Sequence, residues 1–341
     1  MNDADRGTGR ARRVLAALSS RRVMLPFSLA VTAVALWLAV RDADLARVGK
    51  ALRGMTAWPF VVSFACLVLG TLARGARFHA LTRRATGAGY LPALEMILVG
   101  YFFTSILPAR AGELVRIGYF ARRADAPLLT TTTAVVVERA MDLIALAILA
   151  AIVLSGAVGR RFPDLPVPPW ILAAAGGTGG AGALVAGALL RRRTARGRRA
   201  IGKWARRFDE AVSGLAALAS PRDAALAMGL SLALWLLVSF SVQTAFRAGG
   251  MDVPFADAAV VMLGTCFAIA LPSSPGFVGT YHLGFVEGAR LVGIAPEVSL
   301  PVAIVLHLVI QVPFLPIGGL VLLTGGRRAL ARPIRATRDT P

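Results

Sequence analysis

Apolar runs long enough to cross a bilayer occupy most of this chain. They restrict it to folds in which the backbone satisfies its own hydrogen bonds, because hydrocarbon offers no partners. A spanning helix needs about 20 mostly apolar residues. Eight runs reach or approach that length, at 23–40, 57–73, 91–107, 127–157, 170–190, 223–246, 257–271 and 299–324. We therefore predict an all-α polytopic membrane protein.

The charged residues support a membrane protein over a nucleic-acid-binding one. Only 16% of the 341 residues are charged, against about 25% in soluble domains. The net charge of +20 comes mainly from arginine clusters between the apolar runs, such as RGTGRARR, ARGARFHALTRR, RRRTARGRRAIGKWARR and RRALARPIRATR. This distribution is typical of cytoplasmic loops facing anionic lipid, so no nucleic-acid partner is expected. The arginine bias indicates a GC-rich bacterial genome.

The ends of the chain and its cysteines add few constraints. No A-x-A-like cleavage site follows VMLPFSLAVTAVALWLAV, so the first run is expected to be a retained span. We divide the chain into a basic N-terminal segment (1–22), a transmembrane domain (23–325) and a basic tail (326–341). Cys66 and Cys266 lack CxxC or metal-ligand spacing, so we expect small buried side chains, no disulfide and no metal.

The arginines also predict how the runs cross the membrane. With a cytoplasmic N-terminus, a simple crossing at 91–107 would place Arg122 and Arg123 outside, and later RRRTARGRRAIGKWARR as well. A re-entrant hairpin over 91–122 and a second one over 257–292 remove these violations of the positive-inside rule. We therefore predict about six full transmembrane helices, two oppositely oriented re-entrant hairpins and cytoplasmic termini in the bacterial inner membrane.

The two hairpin turns resemble each other. LPARAGE begins at Leu107 and LPSSPGF at Leu271, and each ends an apolar helix. An amphipathic stretch and a long apolar span with an ionisable residue follow each turn. Opposed halves of this kind place the site of many transporters near the membrane midplane, so we predict an inverted repeat.

The first turn contains the residue types that bind phosphate. Pro108 ends the apolar helix, and Gly112 gives the turn conformational freedom. Arg110 and Arg116 carry forked donors that match a phosphate, and the following helix N-terminus favours an anion. Glu113 neutralises one arginine, or binds an amine or a proton. The alternative is a surface loop with solvated charges.

The span 127–157 carries three ionisable residues, Glu138, Arg139 and Asp142. Such residues within a span are costly and mark functional sites by default. Glu138 and Asp142 share a helix face, and Arg139 can pair with Asp142. The alternative is a structural salt bridge, and a structural Arg139–Asp142 pair would leave Glu138 free.

The second turn combines Ser273 and Ser274 with Pro275, Gly276 and Gly279. The backbone N–H groups and serine hydroxyls are expected to line a polar cavity. A serine nucleophile with a histidine base is disfavoured because no GxSxG elbow surrounds either serine. We therefore do not expect an enzyme.

Other polar residues on the apolar runs have two interpretations each. His282 follows the second turn, and His307 forms a polar stripe with Gln311 on the last run. A buried histidine is more often a hydrogen-bonded packing residue than a proton relay. Arg74 and Arg77 grip a lipid headgroup or, as we favour, anchor the second run at the cytoplasmic surface.

Together these motifs resemble the lysylphosphatidylglycerol synthase transmembrane family of flippase-like proteins. LPARAGELVRIGYFARR, VVVERAMDLIAL and LPSSPGFVGTYH carry the resemblance, which covers roughly 20–325. It implies lipid translocation. The chain ends at Pro341, so we expect a stand-alone member without the synthase domain of larger relatives. His282 and His307 depart from the family pattern, in which an acidic residue and an arginine are common, and leave the headgroup open.

The expected substrate is a membrane phospholipid or polyprenyl lipid with an anionic or zwitterionic headgroup. The substrate-binding candidates are Arg110, Gly112, Glu113, Arg116, Glu138, Arg139, Asp142, Ser273, Ser274, Pro275, Gly276, Gly279, His282 and His307. No nucleotide-binding G-x-x-x-x-G-K-[ST] motif occurs, so no cofactor is expected and transport is gradient-driven or passive. The alternatives are a membrane partner of a separate glycosyltransferase or lipid synthase, an integral lipid-phosphate enzyme and a structural scaffold.

Overall fold

The structure is a computed structural model and describes residues 21–107, 111–155, 220–271, 273–326 and 329. Within these ranges the chain is helical and has no strand, which confirms the predicted all-α class. The helices are α1 (Arg21–Val40), α2 (Leu45–Arg53), α3 (Trp58–Thr86), α4 (Tyr90–Ile106), α5 (Ala111–Arg123), α6 (Leu128–Ser155), α7 (Pro221–Ala248), α8 (Phe255–Ile269), α9 (Thr280–Leu291) and α10 (Pro296–Val321), with a 3₁₀ turn at Pro275–Phe277 and a π turn at Leu322–Gly326. The predicted span at 170–190 and the cluster at 191–207 lie outside the described residues.

The predicted runs that fall on described residues agree with the helices except at α3. The run predicted at 57–73 continues as helix to Thr86. Its polar extension is not a surface segment, because Arg77, Phe78 and Leu81 are completely buried. Counting apolar residues ended this run too early, since a buried arginine with anionic partners was treated as a boundary.

Several described helices have the length and composition of membrane spans. Three meet both criteria: Trp58–Thr86, Pro221–Ala248 and Pro296–Gly325. Shorter apolar helices occur at Pro26–Val40, Tyr90–Ile106 and Phe255–Ile269. Helix α6 has a comparable 28 residues but carries the three ionisable residues noted above.

Helices α4 and α5 form the first helix pair, which is antiparallel. A Cβ on Gly112 would lie 2.4 Å from the Thr104 backbone nitrogen, and one on Gly100 would lie 2.9 Å from Cδ of Arg116. At the far end of the pair, Arg123 Nε donates to Glu95 at 2.7 Å. The small residues bring the two helices together and leave Arg116 against the backbone of α4.

Helices α8 and α9 form the second helix pair, which is also antiparallel and closely packed. A Cβ on Gly284 would lie 2.5 Å from Cβ of Ala268 and 2.8 Å from the Gly264 carbonyl oxygen. A Cβ on Gly288 would lie 2.9 Å from Cα of Val261. Only glycine permits this approach, as at other small-residue helix interfaces in membranes.

Helix α10 contacts both helix pairs, packing against α4 of the first and α9 of the second. Helices α3 and α7 form the most extensive contact of the fold, and α6 packs against both of them. Consequently the charged residues of α6 face α3 and α7, while the turns of the two helix pairs are held by α10.

Candidate functional site

A network of buried charges joins α3 to α6. The Arg77 side chain is fully buried, and its Nη2 donates to Glu138 at 3.0 Å and to Asp142 at 3.3 Å. Its Nη1 donates to Asp142 and, at 2.9 Å, to the Ser231 hydroxyl on α7. The interpretation of Arg77 as a cytoplasmic anchor is therefore wrong. The guanidinium is used inside the protein, because two carboxylates there need a cation.

Glu138 is the acceptor on which three arginines converge. Its carboxylate is fully buried, and Arg139 Nη2 donates to it at 2.5 Å. Arg116 Nη1 lies 3.4 and 3.5 Å from the two carboxylate oxygens, and Arg77 completes the set. The predicted Arg139–Asp142 pair is present at 3.5 Å. It does not leave Glu138 free, so that part of the expectation is wrong.

Trp235 on α7 extends the network toward a cavity. Its indole Nε1 donates to Asp142 at 3.1 Å. The guanidinium of Arg74 lies over the same indole, 5.5 Å from the ring centroid, in a cation–π contact. Arg74 and Arg77 therefore have different surroundings, although one helical turn separates them: Arg77 is enclosed, while Arg74 reaches the cavity wall.

The cavity has a volume of about 310 Å³ and lies against this network. Its wall is mostly apolar, and the charged side chains in its lining are Arg74, Glu113, Arg116 and Arg139. Three cations against one carboxylate favour an anion. Among the described residues no three His, Cys, Asp or Glu side chains converge as metal ligands.

Two of these arginines have unused donors. Within the described part of the chain, Nη2 of Arg116 and Nε of Arg139 are buried and have no hydrogen-bond partner. Arg116 is only 6% exposed. Unpaired buried donors are costly, so a ligand that accepts from them is favoured.

The turns of the two helix pairs meet beside the same cavity. Gln311 on α10 donates through Nε2 to the Gly276 carbonyl at 2.8 Å, and its Oε1 lies 2.9 Å from the Ser105 hydroxyl. His307 Nε2 also donates to the Gly276 carbonyl at 2.8 Å. Gly276 adopts a positive φ of 67°, and with Pro275 it forms the 3₁₀ turn that directs this carbonyl at α10. One glutamine thus links both turns.

The serines of the second turn stabilise the turn itself. Thr280 donates to the Ser273 hydroxyl at 3.1 Å, and the Ser274 hydroxyl donates to the Val278 carbonyl at 3.2 Å. Neither serine is in the described cavity lining. Gly279 has a φ of 89° and packs against α1, where a Cβ would lie 2.7 Å from the Thr32 carbonyl oxygen. These residues position the turn, which differs from the cavity-lining role expected for the serines.

The two histidines lie together behind the second turn. Their ring centroids are 5.0 Å apart, and His307 stacks on Tyr281 at 4.4 Å. His307 and Tyr281 line the cavity, whereas His282 is not part of its described lining. His307 is therefore both a packing residue and a cavity residue.

The structure brings most of the predicted site residues into two adjoining groups. The charged group consists of Glu113, Arg116, Glu138, Arg139 and Asp142, with Gly112 packed on Thr104 beside it. The turn group consists of Ser273, Ser274, Pro275, Gly276, Gly279, His282 and His307. Arg110 lies outside the described residues.

Sequence reasoning missed two participants. The sequence places Gln311 in a polar stripe without indicating its partners, and it gives no signal for Trp235. Arg77 carried a usable signal, because α6 has two carboxylates and one arginine, and a buried pair of acids requires a further cation.

The fold and site define a helical protein whose buried arginine and carboxylate network faces an internal cavity, the arrangement expected where ionisable residues lie inside a membrane. The family model for the lysylphosphatidylglycerol synthase TM region matches residues 26–318. The chain belongs to this family and is a membrane protein, as the sequence motifs predicted.

A curated relative is also similar to the chain. It is the glycosyltransferase AglD of Haloferax volcanii, 28% identical over an alignment that covers 85% of this chain and 52% of the relative. The chain thus spans about half the length of that relative.

Proposed function

We propose that the protein is a flippase that carries a phosphate-bearing lipid headgroup across the bacterial inner membrane. The observation that carries this proposal is the cavity with three arginines and one carboxylate in its lining, set in a mostly apolar wall. The arginines donate hydrogen bonds to the phosphate, and the apolar wall contacts the part of the lipid next to the headgroup.

The helix lengths support two re-entrant hairpins and an inverted repeat. Helices α4 and α8 have 17 and 15 residues, fewer than the 20 or so needed to span the bilayer. Each is followed by a short helix of 13 or 12 residues and then by a long helix of 28 or 26 residues. The same succession in both halves is typical of transporters that bind substrate at the interface of their repeats.

The proposed binding step uses donors that the protein already holds in place. Glu138 fixes one edge of Arg116 and of Arg139, so little side-chain entropy is lost when the phosphate docks. Glu113, in the same lining, balances charge or exchanges a proton. The lipid chains remain in the bilayer.

The proposed access step uses the contact between the two turns. Gln311 links Ser105 of the first helix pair to Gly276 of the second. Separating these turns opens the cavity on one side. The bonds broken are a few neutral hydrogen bonds, each worth about 1 kcal/mol, so the opening is accessible on a transport timescale.

The similarity to a glycosyltransferase favours one second candidate, a membrane partner that delivers a polyprenyl-phosphate lipid to such an enzyme. Both candidates use the same phosphate chemistry. They differ in whether the protein alone moves lipid between leaflets.

Leaflet-resolved transport in proteoliposomes tests the proposal. Labelled phosphatidylglycerol and a short polyprenyl phosphate are supplied in one leaflet, and their appearance in the other is timed. The wild type is expected to exceed empty vesicles, and Arg139→Gln to fall toward them. Arg247→Gln is the matched control, because Arg247 pairs with Asp252 at the surface. Movement no faster than in empty vesicles for either lipid would refute the flippase assignment.

A further inference from the structure

The charges around the cavity indicate a narrower substrate class than a phosphate-bearing lipid in general. Four arginines, Arg74, Arg77, Arg116 and Arg139, and three carboxylates, Glu113, Glu138 and Asp142, make up the network and the cavity lining among the described residues. With histidine neutral, one positive charge is in excess. We infer that the cavity selects a headgroup with one net negative charge, a lipid phosphodiester, and excludes headgroups with a net positive charge.

The excess charge is located where a ligand reaches it. Both Nη atoms of Arg77 donate to carboxylates of Glu138 and Asp142, and its unpaired Nε is out of reach of a ligand because Arg77 is fully buried and is not in the described cavity lining. Arg116 and Arg139 each keep a buried donor without a partner in the described chain, at Nη2 and Nε. Both arginines line the cavity. The donors that remain for a ligand therefore belong to the side chains that carry the unbalanced charge.

Burial turns this imbalance into selectivity. An uncompensated charge in a low-dielectric site is costly, and a phosphodiester anion removes that cost while accepting from the two free donors. A zwitterionic headgroup leaves the excess in place. A phosphodiester bearing an aminoacyl group with two ammonium charges adds to it, and Glu113, the carboxylate in the described lining, cannot balance both.

The inference therefore predicts that this chain does not prefer lysylphosphatidylglycerol, the lipid that appears in the description of its family. It rests on the proposed function for its choice of cavity, but the charge balance is measurable as binding, without transport. Glu113→Gln would raise the excess to two positive charges, and Arg139→Gln would lower it to zero.

Equilibrium binding of short-chain lipids to the detergent-purified protein tests this inference. Dioctanoyl phosphatidylglycerol, phosphatidylethanolamine, lysylphosphatidylglycerol and phosphatidic acid form a series of headgroup charges. We expect phosphatidylglycerol to bind about tenfold or more tightly than the lysyl form, a difference of about 1.4 kcal/mol. Glu113→Gln should shift the preference toward phosphatidic acid, and Arg139→Gln should remove the preference. Arg247→Gln should change nothing.

The outcomes distinguish this inference from the proposed function. Equal affinity for the anionic and lysyl lipids, or tighter binding of the lysyl form, would overturn the charge selection even if lipids are transported. Selective binding without any transport would leave the charge selection intact and refute the flippase. If Arg139→Gln does not fold, the lipid preference of Glu113→Gln still tests the charge selection. Glu113→Gln is expected to fold, because Glu113 is only half-buried and its replacement keeps the size of the side chain.

Discussion

Replacing Arg77 by methionine should destabilise the folded protein severely, although Arg77 is closed off from the cavity. The side chain is fully buried and donates to Glu138, Asp142 and Ser231. Methionine fills much of the same volume without charge. The substitution therefore leaves two buried carboxylates and removes a fully buried cation that donates to both.

The expected loss follows from the contacts that remain. Removing one partner of a buried ion pair costs about 3–5 kcal/mol, because the other charge stays desolvated. Asp142 keeps the Trp235 donor and a 3.5 Å contact with Arg139. Glu138 keeps Arg116 and Arg139. Because each carboxylate keeps these partners, the cost of one broken ion pair is not counted twice. We therefore expect a loss of about 3–5 kcal/mol in the free energy of unfolding.

Reversible unfolding in mixed micelles, followed by circular dichroism, measures this free energy. The matched control is Arg247→Met, which breaks a surface pair and should leave the unfolding curve nearly unchanged. The double variant Arg77→Met with Asp142→Asn removes one charge of each sign and should be more stable than Arg77→Met alone. A loss below about 1 kcal/mol for Arg77→Met, within the range of exposed pairs, would refute the structural role. So would additive losses in the double variant, since residues in contact are expected to couple.

Further predictions address the helix pairs, the turns and the surface. Gly284→Ala should cost about 1–3 kcal/mol by overpacking, since its Cβ would meet Ala268 at 2.5 Å, whereas Gly229→Ala, with open space around it, should be neutral or stabilising in the same unfolding assay. Gln311→Leu breaks the link between the two turns and should change the transport rate several-fold with little effect on lipid affinity; an unchanged rate would contradict the access step. The hydrogen bond from Arg290 lowers the pKa of Asp42 below its ordinary value of 3.8. The stabilising effect of Asp42 relative to Asp42→Asn should therefore be present at neutral pH and disappear as the pH falls below that value, which pH-dependent melting measures.

The topology prediction is tested separately by labelling. In a background in which Cys66 and Cys266 are replaced by alanine, a cysteine introduced at Arg122 should react with an impermeant maleimide only from the cytoplasmic side. Arg122 lies in the last turn of α5. Labelling from the outside would contradict the re-entrant hairpin at this position.

Much of the fold could be predicted from the sequence because hydrophobic length dominates in a membrane. The predicted runs match most described helix ends within a few residues, and the two apolar runs predicted to end at 107 and 271 end as helices at Ile106 and Ile269. The charged residues of α6 were correctly expected to interact. These features follow from the cost of burying polar groups, which is local and can be estimated from composition.

The partners of those charges could not be predicted because they come from distant parts of the chain. Arg77 is 61 residues from Glu138, and Ser231 is 154 residues from Arg77. The same applies to Gln311, which lies 206 residues from Ser105. Periodicity gives the face on which such a side chain lies, but only the packing of α3, α7 and α10 determines which acceptor it meets.

The enclosed Arg77 and the cavity-lining Arg116 and Arg139 have complementary consequences for function. Arg77 holds α3 against α6 through Asp142 and Glu138, which fixes the Glu138 carboxylate in position. Glu138 in turn holds one edge of Arg116 and one edge of Arg139, leaving the other donors for a ligand. If Arg77 and Arg139 had exchangeable roles, their substitutions would produce the same phenotype. The network instead predicts that Arg77→Met strongly destabilises the folded protein, while Arg139→Gln leaves folded protein that no longer prefers an anionic lipid.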